Sequence, residues 1–347
     1  MVKIGGRSLG GKREFLARGF LWSGASFLLS QLPARDSLLV LNYHRIGNPD
    51  DDLFDPGIFS ATAEEFGDQI AHLKRYLSPV TLEEALAFAA GTLKDKARRC
   101  RVLITLDDGY LDNYSIAYPI LRSHGIQGVF FLTTGLVGSC QLPWWDHVAY
   151  VVKTARRRAF SLRYPASLTV NIDRNGVRES LRDILMLCKT SEITDPERFI
   201  SELAEEAQGD EVPETQRRFL NWDEAREMIR GGMAIGSHTR AHHILSQLEP
   251  QQQFEELSGS RAIVKEHLGV EPDVVAYPVG AKSSFTSQTQ ALARDAGYHA
   301  AFSFHGGMNL PGKTNAFDVK RSVVVGQSFN RFRVQTAVCR STGAFWP

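Results

Sequence analysis

A short apolar segment ends in two carboxylates and a glycine in the stretch Ile104-Thr105-Leu106-Asp107-Asp108-Gly109. A second apolar segment ends in two histidines four positions apart, in Ser237-His238-Thr239-Arg240-Ala241-His242. Each motif therefore follows a strand-like run and opens a turn. Because α/β folds build their sites at the carboxyl ends of strands, we expect the two motifs to meet at one edge of a sheet.

One carboxylate and two imidazoles make a metal site with open coordination positions, which is the catalytic rather than the structural arrangement. The second carboxylate is then free to take a proton from water beside the metal. Neither motif is specific alone, because Asp-Asp-Gly is a common turn and two histidines at this spacing are often surface or core residues. His243 is adjacent to His242 and is the alternative ligand.

Short apolar runs alternate with helical patterns from residue 37 onward. Most of these runs are continuously apolar, as expected for a parallel sheet that is covered on both faces. Seven strands that alternate with helices predict an α/β fold, a distorted (β/α) barrel with right-handed crossovers. The predicted strands are Leu38–Tyr43, Val102–Leu106, Gly128–Thr133, Met233–Ser237, Val274–Tyr277, Ala300–Phe304 and Val319–Val325.

The pattern predicts one main domain, residues 37–330, between an N-terminal extension (1–36) and a C-terminal tail (331–347). Residues of about 150–220 break the alternation with charged helical stretches, which indicates a helical subregion inserted over one face. Capping boxes at Thr81 with Glu84 and at Asn221 with Glu224 predict the starts of two outer helices.

The charges nearly cancel, with 40 basic and 39 acidic residues, and no nucleic-acid-reading motif occurs. We therefore expect no nucleic-acid partner. The four cysteines are far apart, which is typical of a reduced compartment and predicts neither a disulfide framework nor a thiolate metal site.

Residues 1–36 carry basic side chains ahead of an apolar stretch that serines interrupt. No cleavage site is clear, and the stretch is too short and polar to span a bilayer. We expect an amphipathic helix that lies on the barrel or on a membrane surface, or one that merely caps the fold. The expected location is cytoplasmic or peripheral at the membrane.

Three motifs together resemble those of the polysaccharide deacetylases (the NodB-homology domain, carbohydrate esterase family 4). Thr105-Leu106-Asp107-Asp108-Gly109 resembles that family's Thr-Phe-Asp-Asp-Gly motif, and His238-Thr239-Arg240-Ala241-His242 its His-Ser/Thr-x-x-His motif. Ala276-Tyr277-Pro278-Val279-Gly280 is similar to its third, proline-containing motif. The resemblance runs from about residue 38 to about residue 326.

The resemblance implies a divalent metal, usually zinc, and hydrolysis of an N-acetyl group from an amino sugar. Asp107 would be the general base, and Asp108, His238 and His242 the metal ligands. The third motif, Tyr277, Pro278 and Val279, would contact substrate, with a backbone N–H near Val279 as an oxyanion donor. The implied partner is an N-acetylated polysaccharide or oligosaccharide.

The chain departs from the common motif order in two places. The C-terminal Leu-x-His motif is missing. His44 instead follows the first predicted strand, as in circularly permuted members. We expect His44 to be the general acid that protonates the leaving amine. The arginine that often pairs with the catalytic aspartate is also missing, and Arg321 could substitute or form a structural salt bridge. Trp145, next to Trp144, could stack on a sugar or anchor the insertion to the barrel.

Three functions fit these residues. The first is a metal-dependent hydrolase that deacetylates a polysaccharide or a glycan precursor. The second is a catalytically inactive carbohydrate-binding or assembly protein of the same fold. The third is a small-amide amidase that uses the same metal site.

Overall fold

A computed structural model describes residues 36–94, 99–190, 195–210, 217–324 and 328–342, together with Gly19 and Ile193. The predicted N-terminal helix lies almost entirely outside these residues. Within the described ranges, no helix has both the length and the apolar character needed to cross a membrane.

The strands and helices alternate along most of the chain. The strands are β1 (Leu38–Tyr43), β2 (Arg45–Ile46), β3 (Phe59–Ala61), β4 (Ser78–Pro79), β5 (Arg101–Leu106), β6 (Gly128–Leu132), β7 (Ala159–Leu162), β8 (Leu168–Asn171), β9 (Ala234–Ser237), β10 (Val274–Ala276), β11 (Ala300–Ser303), β12 (Val319–Lys320) and β13 (Ser322–Val323). The α-helices are α1 (Ala63–Tyr76), α2 (Leu82–Ala89), α3 (Tyr118–His124), α4 (Trp144–Thr154), α5 (Ile172–Asn175), α6 (Val177–Cys188), α7 (Pro196–Ala207), α8 (Trp222–Arg230), α9 (Pro250–Leu268), α10 (Ser287–Asp295) and α11 (Phe329–Thr342).

The main sheet is parallel and runs in the order β12-β11-β10-β9-β6-β5-β1-β13, with β4 added beside β5. Strands β12 and β13 are separated only by Arg321, so the two ends of the sheet meet in one chain segment. The sheet is therefore a nearly closed barrel, which confirms the predicted fold class. The seventh predicted strand is present but broken at Arg321, where it changes its partner from β11 to β1.

Continuous burial explains the apolar strand sequences, because β1, β5 and β6 have no exposed residue. One set of side chains fills the barrel and the alternate set packs under the helices. Both predicted capping boxes are confirmed, at Thr81 with Glu84 and at Asn221 with Glu224.

The insertion differs from the purely helical subregion that the sequence predicts. It begins with α4 and contains an antiparallel hairpin of β7 and β8 as well as α5, α6 and α7. The buried–exposed alternation of Ala159–Leu162 matches a strand with one buried face, a pattern too short to stand out against charged helices.

The predicted C-terminal tail begins inside helix α11. Phe332, Val334 and Cys339 of this helix are buried. Phe332 and Cys339 join the core cluster that lies between the barrel and α1. The apolar residues of the segment are therefore used in packing, and this explains why it is ordered as a helix.

Candidate active site

The three predicted metal ligands lie together. Asp108, His238 and His242 each place one ligand atom within 4.8 Å of the others, and all three residues are buried. The Asp108 Oδ1 atom is 3.5 Å from Nε2 of His238 and 3.5 Å from Nε2 of His242. A tetrahedral zinc site with bonds of about 2.0–2.2 Å needs ligand atoms about 3.3–3.6 Å apart, so the spacing fits.

The Asp108 carboxyl also has the chemistry of a ligand. Its buried Oδ1 has no hydrogen-bond partner among the described residues, which is costly unless a cation is there. Burial raises the pKa of Asp108 well above its ordinary value, and the Asp107 and Asp146 carboxylates add to this. A bound cation would reverse that preference and favour the ionised form.

Strand ends bring these ligands to one edge of the barrel. Asp107 and Asp108 directly follow β5, and His238 directly follows β9. The backbone is strained where the chain turns over the site, with φ of +72° at Asp108, +65° at Thr239, +58° at His242 and +63° at Val279. Non-glycine residues in this region cost free energy, and such strain is typical of functional sites.

The two histidines are held differently. Nδ1 of His238 is 2.8 Å from the Ala276 carbonyl oxygen at the end of β10, which fixes the ring and leaves Nε2 for a metal. Nδ1 of His242 is buried and has no partner in the part of the chain that the structure describes. The His242 ring instead lies against Trp145, with centroids 4.4 Å apart.

Asp107 is held beside the three ligands as a carboxylate. Arg321 donates to Oδ1 at 2.6 Å and to Oδ2 at 2.9 Å, and the Asn42 amide donates to Oδ2 at 3.0 Å. Burial opposes its ionisation, but Arg321, His238 and His44 outweigh this and hold the pKa of Asp107 below its ordinary value. The group is therefore an oriented, ionised carboxylate, and its role as general base stays a prediction.

Arg321 occupies the seam of the barrel. It lies between β12 and β13 and is fully buried, and its Nε donates to the Ser303 carbonyl at 3.1 Å. The structure thus places Arg321 on Asp107, which fits both alternatives from the sequence, a substitute for the missing arginine and a structural salt bridge. Its catalytic role stays a prediction.

His44 follows β1 at the same edge of the barrel. Its backbone N–H donates to Ser60 Oγ at 2.9 Å, and its buried Nδ1 lacks a partner among the described residues. Burial lowers the pKa of His44 to about 4, although the nearby Asp107 opposes this. The ring is therefore neutral at pH 7 in the free protein, and as a general acid it must gain a proton during turnover.

The third motif crosses the edge of the barrel after β10. The Tyr277 side chain is buried, and its hydroxyl donates to the Phe317 carbonyl at 3.1 Å, so the ring serves the core. Pro278 and the strained Val279 continue over the end of the strand, and Gly280 follows with φ +61°. A substrate contact of these residues stays a prediction, carried by the backbone of Val279 rather than by the Tyr277 ring.

Trp145 is only 5 % exposed. Its indole N–H donates to the Tyr110 hydroxyl at 2.8 Å, and Trp144 packs edge-on against it. This burial leaves little ring surface for a sugar and favours the alternative that Trp145 anchors the insertion.

His243 is half-exposed and 3.6 Å from Glu256, outside the ligand cluster.

Several residues of the site were not predicted from the sequence. Asn42 is a polar residue that points into the barrel from an otherwise apolar strand, and this was the available signal. Tyr110 and Asp146 hydrogen-bond each other at 2.9 Å next to Trp145. Nothing in the sequence pairs them, since they lie 36 positions apart on different elements.

Comparisons with known proteins point to one family. A family model described as polysaccharide deacetylase matches residues 94–301, more than half of the chain. The Bacillus subtilis (strain 168) protein named "Putative polysaccharide deacetylase YxkH" is 22% identical over 205 residues, which are 59% of this chain and 44% of that protein. The chain thus spans less than half the length of this curated relative.

Solved structures share the fold. The Streptococcus pyogenes deacetylase PplD, in complex with acetate, is 18% identical with a TM-score of 0.55, covering 88% of this chain and 99% of its own. IcaB from Ammonifex degensii is 22% identical with a TM-score of 0.56, covering 88% of this chain and 98% of its own. The de-N-acetylase from Aggregatibacter actinomycetemcomitans is 16% identical with a TM-score of 0.55, covering 86% of this chain and 99% of its own.

Proposed function

Because the chain belongs to the polysaccharide deacetylase family, we propose that it hydrolyses N-acetyl groups on the amino sugars of a polysaccharide or glycan precursor. One observation carries the proposal: a buried Asp108, His238 and His242 cluster lies beside an Asp107 carboxylate that Arg321 holds in place. The two-nitrogen, one-oxygen donor set suits zinc and leaves coordination positions open.

A bound zinc ion would supply the Lewis acid that polarises the acetamide carbonyl and makes water more acidic. The protein's own groups handle the protons. Asp107 accepts the proton of the attacking water, and Arg321 and Asn42 keep its carboxylate in one orientation. His44 takes up a proton from solvent during turnover and delivers it to the leaving amine, and Asp107 afterwards returns its own proton to solvent; a backbone N–H near Val279 donates to the developing oxyanion.

The geometry argues against an inactive carbohydrate-binding protein. A binding protein has no use for a buried carboxyl oxygen without a hydrogen bond, as Asp108 Oδ1 is among the described residues. No observation favours a small amide over an acetylated sugar, so the polymer substrate remains our proposal.

The test is acetate release from N-acetylglucosamine oligomers by the zinc-loaded protein. Asp107→Asn should retain zinc and lose about a thousandfold in rate, because the amide cannot accept the proton. Asp68→Asn, an exposed change on α1, is the control and should match the wild type. Wild-type turnover by Asp107→Asn would refute the mechanism, and a wild type that binds no zinc and releases no acetate would refute the function.

A further inference from the structure

The His242 ring lacks the hydrogen bond that orients most metal-ligating histidines. Such rings usually donate their second N–H to a carboxylate or carbonyl, as the His238 ring can to the Ala276 carbonyl. Nδ1 of His242 has no such partner within the described ranges, and its backbone has φ +58° in a loop. Some other contact must set the direction in which Nε2 points.

The His242 ring packs against the ring of Trp145. The two ring centroids are 4.4 Å apart with a 59° angle between the planes. Trp145 is itself fixed, because its N–H donates to the Tyr110 hydroxyl at 2.8 Å and Trp144 packs against it at right angles.

A buried hydrogen-bond chain continues behind Trp145. The Tyr110 hydroxyl donates to Asp146 Oδ2 at 2.9 Å, and Asp146 Oδ1 accepts from the Asp55 backbone N–H at 3.1 Å. Tyr110 and Asp146 are fully buried, and Arg218 Nε lies 3.7 Å from Asp146 Oδ2. The hydroxyl of Tyr110 is therefore the link between the indole and an anchored carboxyl.

We propose that Tyr110 is a positioning residue that, through Trp145, orients His242 for metal binding. It does for His242 what the Ala276 carbonyl does for His238. Since helix α4 of the insertion supplies Trp145 and Asp146, the insertion is part of the metal site rather than only a cover. The inference rests on the metal site of the proposed function.

Tyr110 also packs on Phe219, with ring centroids 4.7 Å apart, so a merely structural role is the competing explanation. Tyr110→Phe keeps this ring contact and removes only the hydroxyl. Tyr114→Phe is the matched control, because the Tyr114 hydroxyl donates at 2.8 Å to Glu227 instead. Trp145→Phe removes the N–H at the other end of the same hydrogen bond.

The experiment measures zinc affinity by chelator competition and the visible spectrum of the cobalt-substituted protein. Tyr110→Phe and Trp145→Phe should each weaken zinc binding about tenfold and alter the cobalt spectrum, and Tyr114→Phe should do neither. The double variant should bind about as weakly as either single one, because both break the same link.

Wild-type affinity and an unchanged spectrum in Tyr110→Phe would overturn the positioning role and leave the proposed function standing. An equal loss in Tyr114→Phe would also overturn it, since the effect would then be general loosening. If the wild type itself bound no zinc, the proposed function would fail together with this inference. If Tyr110→Phe does not fold, wild-type affinity in Trp145→Phe overturns the inference, because the proposed link runs through this side chain.

Discussion

Arg321 donates two hydrogen bonds to the carboxylate of Asp107, at 2.6 and 2.9 Å, across 214 positions of sequence. The contact exists because the barrel closes: β13 pairs with β1, which pairs with β5, and Asp107 follows β5. Closure of the sheet and orientation of the Asp107 carboxylate are therefore one structural event.

Arg321→Lys should lower the turnover number about a hundredfold and leave the zinc content unchanged. Lysine keeps the charge but cannot form the paired hydrogen bonds of a guanidinium, so the Asp107 carboxylate loses its orientation. Steady-state kinetics together with metal analysis measures both effects. Arg333→Lys, on the exposed side of α11, is the control. If Arg321→Lys turned over as fast as Arg333→Lys, the Arg321–Asp107 pair would be only structural.

His44→Gln should lower N-acetyl hydrolysis at least about a hundredfold, because the leaving amine loses its proton donor. Hydrolysis of 4-nitrophenyl acetate should stay within about threefold of wild type, since nitrophenolate leaves without a proton. Rates on both substrates are compared, with His124→Gln at the end of α3 as control. A parallel loss on both substrates would assign His44 to binding or folding instead.

His72 should make stability depend on acid pH independently of any metal. The His72 Nε2 atom lies 2.9 Å from Thr336 Oγ1, between α1 and α11. Burial and, to a smaller extent, the charge of Arg333 lower the pKa of His72 to about 4. In the unfolded chain the pKa of His72 is near 6.5, so between about pH 4 and pH 6.5 the unfolded state binds more protons than the folded state. Stability therefore falls as the pH drops through that window.

Urea unfolding of wild type and His72→Gln at pH 7.5 and pH 4.5 measures this effect. The wild type should lose about 1–2 kcal/mol more than the variant between these values, after allowing for the partial exposure of the ring. Equal losses of unfolding free energy in the wild type and in His72→Gln would mean that His72 does not titrate as its surroundings suggest.

Local pattern predicted the barrel and the meeting of the two motifs, and the resemblance to a known family selected Asp108 rather than Asp107 as the ligand. Continuous apolar runs specified buried parallel strands, and the polar residues that follow them had to share one edge of the sheet. Asp108, His238 and His242 are therefore found together as expected.

The remaining contacts depend on how distant elements pack, which local pattern does not encode. Nothing in the sequence pairs His305 with Asp318, 13 positions later, yet its Nε2 lies 2.9 Å from Asp318 Oδ1. The Trp145–Tyr110 hydrogen bond likewise joins the insertion to the segment after β5. Such pairings follow from loop conformations, and a single sequence carries no signal for them.

The metal site itself is tested most directly by zinc content and zinc X-ray absorption of the purified wild type, His242→Ala and His243→Ala. The wild type should hold one zinc with two imidazole nitrogens and a carboxylate oxygen at about 2.0–2.2 Å. His242→Ala should lose the ion, and His243→Ala, whose ring faces Glu256, should keep it with an unchanged spectrum. Full zinc with a wild-type spectrum in His242→Ala would contradict the assignment of the ligands.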